Sequence, residues 1–243
     1  MRDYAKEFEG RVAFIRSLVE SSQAAGIVFG NSGGKDSALV GILCKAACDN
    51  TVGVIMPCAS KRNFELDADD GRALAEQYDI ETRFIDLTPV REAEMAQLSG
   101  IVNLNDAAIT NIAPRLRMTT LYAVAASENR LVAGTGNRSE AYMGYFTKWG
   151  DGAHDFNPIS DLTATEIFEF LEYLKAPRCI IDKAPSAGLF DGQTDEQEMG
   201  VTYKAIDEFL LEGKANEADM AVIKRYHDRS EHKRRPIAAY KEP

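Results

Sequence analysis

The sequence predicts an α/β fold with a doubly wound parallel sheet and flanking helices. Short apolar runs alternate with longer stretches in which apolar residues recur at helical spacing. The predicted strands cover residues 27–29, 52–56, 82–85 and 131–133. Such alternation favours a parallel sheet with helices on both faces, and ligand sites in these sheets form at the carboxyl ends of the strands.

Helical periodicity covers most of the remaining chain. Helices are predicted at residues 4–24, from 38 onward, 66–78, 105–127 (bent near Pro114), 165–174, 201–212 and 216–232. No repeat or linker is visible, so we expect a single domain over residues 1–243. Its parts are a core at about 10–180, a mobile loop at about 185–200 and C-terminal helices at about 201–235.

Composition excludes several classes of protein. The 243 residues are 45% hydrophobic and 27% charged, an ordinary globular mixture. A net charge of −10 disfavours general nucleic-acid binding, because phosphate backbones would be repelled. No run approaches the roughly 18 apolar residues of a membrane helix, and the charged segment 1–11 lacks the apolar region of a secretory signal. We therefore expect a cytoplasmic location, with no membrane or nucleic-acid partner.

The four cysteines do not predict a metal site. Cys44 and Cys48 share one face of a predicted helix, but no CxxC pattern exists and the three histidines are scattered. We interpret the cysteines as small, buried apolar residues in a reducing compartment.

A glycine-rich segment between the first predicted strand and the next helix carries the strongest functional signal. Its sequence, SGGKDS at 32–37, leaves main-chain N–H groups open and leads into a helix N-terminus, and both features favour a bound pyrophosphate. Asp36 offers an oxygen ligand for Mg²⁺. A glycine-rich turn with a Ser/Asp cap is the alternative. The predicted ATP contacts here are Gly30, Ser32, Gly33, Gly34, Lys35 and Ser37.

The segment after the fourth predicted strand holds a second group of polar residues, 134–140 followed by 142–152. Glu140 and Asp151 could each bring a carboxylate to the cation site of Asp36, and Thr135 is a candidate ATP contact. A solvated Glu140 in the first turn of a helix is the alternative, because the helix dipole favours an acid there.

Three other segments contain candidate residues. Segment 185–196, PSAGLFDGQTDE, has glycines suited to a loop that changes shape, although its end could also cap the following helix. Arg115 lies in segment 111–118 and could bind an anionic group of a substrate. The basic stretch at 230–236 could reach phosphates, or could be a solvated helix end.

These motifs together resemble one enzyme family. The SGGxDS loop resembles that of the N-type ATP pyrophosphatases, which implies the adenine nucleotide alpha hydrolase-like fold. GYFTKWGDG, PSAGLFDGQTDE and SEHKRRP resemble the corresponding strings of NAD synthetases. The resemblance covers residues from about 10 to 236. The chain departs from the family at Ala164, where a lysine is usual, and we hypothesise that Lys35 or Lys148 substitutes for it.

The resemblance implies an ammonia-dependent NAD synthetase reaction with ATP, deamido-NAD and Mg²⁺. The nicotinate carboxylate would be adenylated and then attacked by ammonia. Glutamine-dependent members of the family carry an additional amidase domain that this sequence does not resemble, so we expect ammonia to be used directly. Asp36 and Glu140 are the expected metal ligands, and Asp36, Glu140, Lys148 and Asp151 the expected catalytic residues. Asp151 or Asp155 could orient ammonia or take its proton. Further expected nucleotide contacts are Met56, Arg115, Thr135, Asp155, Ser186, Thr194, His232 and Lys233.

The family also implies a homodimer across the helix at about 105–127. Ala107, Ala108, Ile112, Leu116 and Leu121 would then form an exposed apolar face, unless they pack internally. Two other functions stay open: another pyrophosphatase-type amidating enzyme, such as a GMP synthetase ATPase subunit, and a nucleotide-sensing module without turnover. Intact Asp36 and Glu140 argue against the module.

Overall fold

A computed structural model describes residues 2–60, 66–183 and 195–240. The strands are β1 Gly26–Gly30, β2 Thr51–Ile55, β3 Glu81–Phe84 and β4 Arg130–Ala133. The helices are α1 Tyr4–Ser22, α2 Lys35–Ala47, α3 Leu66–Tyr78, α4 Thr88–Leu98, α5 Asp106–Glu128, α6 Arg138–Met143, α7 Ala164–Leu174, α8 Arg178–Ile181, α9 Asp195–Met199, α10 Tyr203–Glu212, α11 Glu217–Arg229 and α12 Glu231–Arg234.

The four strands form one parallel sheet in the order β3-β2-β1-β4. The register pairs Val28 of β1 with Val52 of β2 on one side and with Val132 of β4 on the other. β1 and β2 are almost entirely buried, which is expected of central strands covered on both faces. The predicted fold class is therefore confirmed.

Helices cover both faces of the sheet, and the alternation of β1 side chains shows this directly. Ile27 and Phe29 point into one apolar cluster with residues of α1, α2 and α7. Val28 points into a second cluster with residues of β2 and α5. A third cluster joins α6 to α9, α10 and α11 and holds the C-terminal helices against the sheet domain.

Several details differ from the sequence-based prediction. The helix after the glycine-rich loop begins at Lys35 rather than at residue 38, and α4 and α8 were not predicted. None of the residues of α4 is buried. The expected loop at 185–200 ends in helix α9, and the predicted helix 216–232 is divided at Ser230 into α11 and α12.

Helix α5 packs part of the apolar face expected of a dimer surface within the chain. Ile112 is buried, and Leu116 and Leu121 pack against the second apolar cluster, while Ala107 is exposed. The internal-packing alternative therefore holds for the larger side chains. Cys44 and Cys58 are buried as expected, but Cys179 is exposed. In the part of the chain that the structure describes, no helix is long and apolar enough to cross a membrane.

Candidate active site

A cavity of about 1130 Å³ opens where the carboxyl ends of β1, β2 and β4 meet. Its walls come from the glycine-rich loop, the start of α2, helices α5 and α6, and one face of α11. We call it the central cavity. Its position agrees with the rule that parallel sheets bind ligands beyond the carboxyl ends of their strands.

Hydrogen bonds within the glycine-rich loop and to helix α3 fix the conformation of the loop beside this cavity. Asn31, which is 1% exposed, donates from Nδ2 to the Gly71 carbonyl at 2.9 Å, and Ser32 Oγ lies 3.0 Å from Ser37 Oγ. α2 has Gly34 as its N-cap, and this residue offers no side-chain cap to the first N–H groups of the helix. These N–H groups and the positive end of α2 are suited to binding an anion.

A network of two lysines fastens the loop to its surroundings. Lys183 Nζ lies 2.6 Å from Asp67 Oδ1 and 2.6 Å from Asp70 Oδ2, and it also contacts the Gly33 carbonyl at 3.4 Å. Lys35 Nζ donates to the Lys183 carbonyl. Burial lowers the pKa of Lys35, whereas the neighbouring Asp36 acts in the opposite direction. Both lysines line the central cavity on the side of the glycine-rich loop.

We expect Lys183→Met to raise the KM for ATP about tenfold and to lower the free energy of unfolding by about 1–3 kcal/mol. The substitution removes a cation from the cavity and leaves Asp67 and Asp70 facing each other without it. Initial rates over an ATP titration and urea unfolding measure the two effects. Lys204→Met, at a side chain 84% exposed, is the matched control and should change neither. Unchanged ATP kinetics in Lys183→Met would contradict this role.

Asp36 and Glu140 form a carboxylate pair across the cavity floor, joined by Asn137. Asn137 Nδ2 donates to Asp36 Oδ1 at 2.9 Å, and its main-chain N donates to Glu140 Oε2 at 3.1 Å. Burial raises the pKa of Asp36 to about 6. Burial, followed by repulsion from Asp36, raises the pKa of Glu140 well above its usual range. Two desolvated acids in this arrangement favour a bound cation.

Glu140 is not the solvated first-turn acid of the alternative interpretation. It completes a capping box with Asn137 at the start of α6, and its carboxyl faces the cavity. On the same wall, Tyr203 donates to Asp195 Oδ2 at 3.2 Å, and Asp195 is 5% exposed. Burial and the nearby Glu140 raise the pKa of Tyr203. Asp195 is thus a third acid close to the pair.

Most of the predicted site residues line the central cavity. They are Gly30, Ser32, Gly34, Lys35, Asp36, Ser37, Met56, Thr135, Glu140, Asp151 and Lys233. Gly33 lies just beneath them, against the Asp67 carbonyl. Ser186 and Thr194 lie outside the described residues. Ala164, where the family usually has lysine, also lines the cavity.

Lys148 and Asp155 do not line the central cavity of this chain, so their predicted roles in catalysis and substrate binding stay predictions. Lys148 Nζ donates to the His232 carbonyl at 2.8 Å. Asp155 accepts from the Val132 main-chain N at 2.8 Å and from Tyr122 Oη at 3.1 Å, so it is fixed to β4 and α5. Substitution of Lys148 for the lysine missing at Ala164 also stays a prediction, and it requires Lys148 to leave the His232 carbonyl.

Arg115 and His232 also lie outside the central cavity. Arg115 is exposed, and its Nη2 lies 3.5 Å from the Lys148 carbonyl. His232 contributes its carbonyl, rather than its ring, to the contact with Lys148. A role for these side chains in substrate binding stays a prediction, and it requires a surface beyond this cavity.

The sequence reasoning missed several residues that do line the cavity. Arg117 donates from Nε to the Met56 carbonyl at 3.0 Å, and burial lowers its pKa. Lys183, Asp195 and Tyr203 are brought in from distant segments, and only tertiary packing reveals them. Asn137 could have been found, because an Asn three residues before a Glu at a predicted helix start indicates a capping box.

Fold and site together define a class of protein. A parallel α/β sheet carries an uncapped, glycine-rich anion loop beside a desolvated carboxylate pair, in one cavity large enough for two substrates. This combination defines a nucleotide-dependent enzyme with the adenine nucleotide alpha hydrolase-like fold.

Comparisons with known proteins narrow the class to one family. The family model described as NAD synthase matches residues 7–237. The NH₃-dependent NAD⁺ synthetase of Carboxydothermus hydrogenoformans is 44% identical over 236 residues, 96% of each chain. The chain belongs to the NAD synthase family. It is accordingly a ligase that forms a C–N bond, and the reaction predicted from the motifs is favoured over that of another pyrophosphatase.

Two solved structures extend the comparison. The NMN synthetase of Francisella tularensis superimposes with a TM-score of 0.94 at 38% identity, over 100% of both chains. An NH₃-dependent NAD synthetase from Campylobacter jejuni gives a TM-score of 0.80 at 32% identity, over 99% of this chain and 100% of the other. Both structures confirm the fold along the whole chain.

Proposed function

We propose that the protein converts the nicotinate carboxylate of deamido-NAD into an amide, with ammonia as nitrogen donor and ATP as activating substrate. One observation supports this most directly. The anion loop at α2 and the pair Asp36 and Glu140 face the same cavity, so a polyphosphate and a cation can be held side by side there. This arrangement suits cleavage of ATP between its α and β phosphates.

The carboxylate pair fits Mg²⁺. Asp36 and Glu140 offer hard oxygen donors, and their raised pKa values are those of acids that a cation would neutralise. Within the described residues no three His, Cys, Asp or Glu side chains converge as a metal site. Mg²⁺ commonly uses one or two carboxylates and takes its remaining ligands from water and substrate phosphates. When bound, it would neutralise charge on the phosphates of ATP.

The first chemical step is adenylation. A nicotinate oxygen attacks the α-phosphorus of ATP, the bond to the bridging oxygen breaks, and pyrophosphate leaves. The N–H groups at the start of α2, with Lys35 and Lys183 beside them, stabilise the negative charge of that leaving group. The ends of β1 and β2, including Gly30 and Met56, bound the adjoining part of the cavity, where we place the adenosine.

The second step is attack of ammonia on the acyl adenylate, with loss of AMP. Asp151 lines the cavity, and its Oδ1 accepts from the Thr147 main-chain N at 3.0 Å. Desolvation by the surrounding protein raises the pKa of Asp151, which makes it a stronger proton acceptor than an exposed aspartate. We therefore assign Asp151 as the group that accepts a proton from the attacking ammonia.

A homodimer is part of this proposal. Arg115, Lys148 and Asp155 lie outside the central cavity of one subunit, so their predicted contacts with the dinucleotide require a surface completed elsewhere. A second subunit that covers α5 would supply it. Light scattering after size-exclusion chromatography should give twice the chain mass of 26.8 kDa.

Nicotinate mononucleotide is a second candidate for the acid substrate. The observation in its favour is the match to the Francisella NMN synthetase, whose TM-score of 0.94 exceeds the 0.80 of the Campylobacter NAD synthetase. The chemistry at the carboxylate would be the same for both substrates, since they share the nicotinate riboside phosphate. Only the adenylate half of the dinucleotide distinguishes them.

The deciding experiment incubates the protein with ATP, Mg²⁺ and ammonium, and with either deamido-NAD or nicotinate mononucleotide. We expect the amide product and AMP in equal amounts, with the larger kcat/KM identifying the preferred acid. Xanthosine monophosphate is the control for a GMP synthetase-type reaction and should give no AMP. AMP formation with xanthosine monophosphate alone would overturn the proposal.

A further inference from the structure

Two arginines on α11 line the central cavity on a wall distinct from the anion loop. Arg225 and Arg229 are four residues apart, so they lie on the same face of the helix. Neither was singled out by the sequence motifs. The ATP phosphates are already accounted for by the loop and its lysines, so this second group of cations lacks a counterpart in the adenylation chemistry.

These arginines differ from the other cations of the cavity in their partners. Lys183 is held by Asp67 and Asp70, and Lys233 donates to the Gly144 carbonyl at 2.7 Å. By contrast, neither arginine side chain forms an ion pair or hydrogen bond within residues 2–60, 66–183 and 195–240. Arg225 only lies over the Tyr226 ring, with 5.6 Å from Cζ to the centroid.

The acids on the same wall are engaged by tyrosines rather than by these arginines. Glu198 accepts from Tyr145 Oη at 2.7 Å, and Asp195 accepts from Tyr203 Oη at 3.2 Å. Both guanidinium groups therefore keep their donors for a ligand. Arginine is suited to phosphate because its planar donors can bind two oxygens at once.

Helix α11 is fixed relative to Glu140, so these arginines have a defined position with respect to the reaction centre. Gly144, directly after α6, approaches Ser230 so closely that a Cβ on it would lie 2.0 Å from Ser230 Cβ. The His227 ring stacks on Tyr142 of α6 at 4.1 Å between centroids. A ligand bound by α11 would thus be positioned relative to the helix that carries Glu140.

We propose that Arg225 and Arg229 form a subsite for the phosphate attached to the nicotinate riboside. This inference rests on the proposed function, because it names how that site binds its acid substrate. The ligand chemistry is a phosphate ester, which is the terminal group of nicotinate mononucleotide and part of the pyrophosphate of deamido-NAD. Binding there orients the nicotinate carboxylate toward the α-phosphorus of ATP.

The test compares wild type with Arg225→Gln, Arg229→Gln and the double variant, on three acids: nicotinate riboside, nicotinate mononucleotide and deamido-NAD. Each single variant should raise the KM for the two phosphorylated acids about tenfold. The KM for ATP and the kcat/KM for the unphosphorylated riboside should change less than about twofold, since neither depends on this phosphate contact. Lys224→Gln, on the same helix but outside the cavity, is the control and should match wild type.

Isothermal titration of each acid without ATP gives the affinities independently of turnover. If the arginine variants lose affinity for both phosphorylated acids, the arginines bind the phosphate that these acids share. If they lose affinity for deamido-NAD alone, the arginines lie at its adenylate half, and the assignment is overturned. An unchanged KM and affinity in the double variant also overturns it. Failure of the proposed function has a different signature, because wild type would then form no amide from any of the three acids.

Discussion

Asp36→Asn is expected to reduce kcat by about 10²–10³-fold and to stabilise the ligand-free protein at neutral pH. We expect activity to fall because Asp36 is one of the two carboxylates proposed to bind Mg²⁺ beside the glycine-rich loop. In the wild type, Asn137 Nδ2 donates to Asp36 Oδ1 at 2.9 Å. The fold should persist in the variant, because the side-chain oxygen of the introduced asparagine can accept the same hydrogen bond. Single-turnover AMP formation and urea unfolding measure the two effects.

The direction of the stability change follows from the pKa. Burial raises the pKa of Asp36 from 3.8 to about 6, so the charged carboxylate costs stability at pH values above about 6. The cost is up to about 3 kcal/mol, and it disappears as the pH falls below the unfolded value of 3.8. Asp36→Asn should therefore exceed wild type in stability at pH 7, and the difference should shrink between pH 6 and 4.

The matched control is Asp69→Asn, at a carboxylate 73% exposed and outside the cavity. It should change neither kcat nor the pH dependence of stability. Added Mg²⁺ should stabilise wild type more than Asp36→Asn, because the variant lacks one of the two proposed ligands. Lower stability of Asp36→Asn at pH 7, or kcat within twofold of wild type, would contradict the carboxylate pair as the reaction centre.

Gly33→Ala is the second substitution with a large expected effect. Gly33 has φ of +69°, a left-handed conformation that costs a residue with Cβ about 1–2 kcal/mol. An added Cβ would also lie 2.2 Å from the Asp67 carbonyl oxygen, so the loop or α3 must move. We expect the free energy of unfolding to fall by about 2–4 kcal/mol and the KM for ATP to rise at least tenfold.

The neighbouring glycine provides the comparison. Gly34 has φ of −90°, which any residue adopts, and a Cβ there would meet only Ser32 Oγ, at 3.2 Å. Gly34→Ala should therefore retain nearly wild-type stability. Thermal unfolding and ATP titration of both variants test the argument. Equal destabilisation by the two substitutions would show that the left-handed turn at Gly33 is not what shapes the loop.

The sequence predicted the fold class and the glycine-rich loop because both are local patterns. Apolar runs of strand length alternate with helical periodicity, and the strands so predicted differ from the observed ones by about one residue at each end. The loop was recognisable because its glycines, hydroxyls and acid are contiguous. Helix α4 escaped prediction because it buries no side chain completely.

Which side chains share the cavity was decided by tertiary structure alone. Arg115 and Arg117 are two residues apart on α5, and about 100° of rotation per residue turns one outward and the other toward the cavity. Likewise, Lys148 is tied to the His232 carbonyl, whereas Lys183 is brought to the loop across about 150 residues of chain. Sequence spacing carries no information about such contacts, since they depend on how whole helices pack.

By itself, then, the sequence determined the parallel α/β fold, the position of the glycine-rich loop and the family of the chain. Those properties follow from the periodicity of apolar residues and from short contiguous motifs. Packing of distant helices decided that Asn137 joins Asp36 to Glu140, and that Arg225 and Arg229 face the same cavity. The reason is physical: burial and the direction of a side chain are set by its neighbours in space, and these become neighbours only in the folded chain.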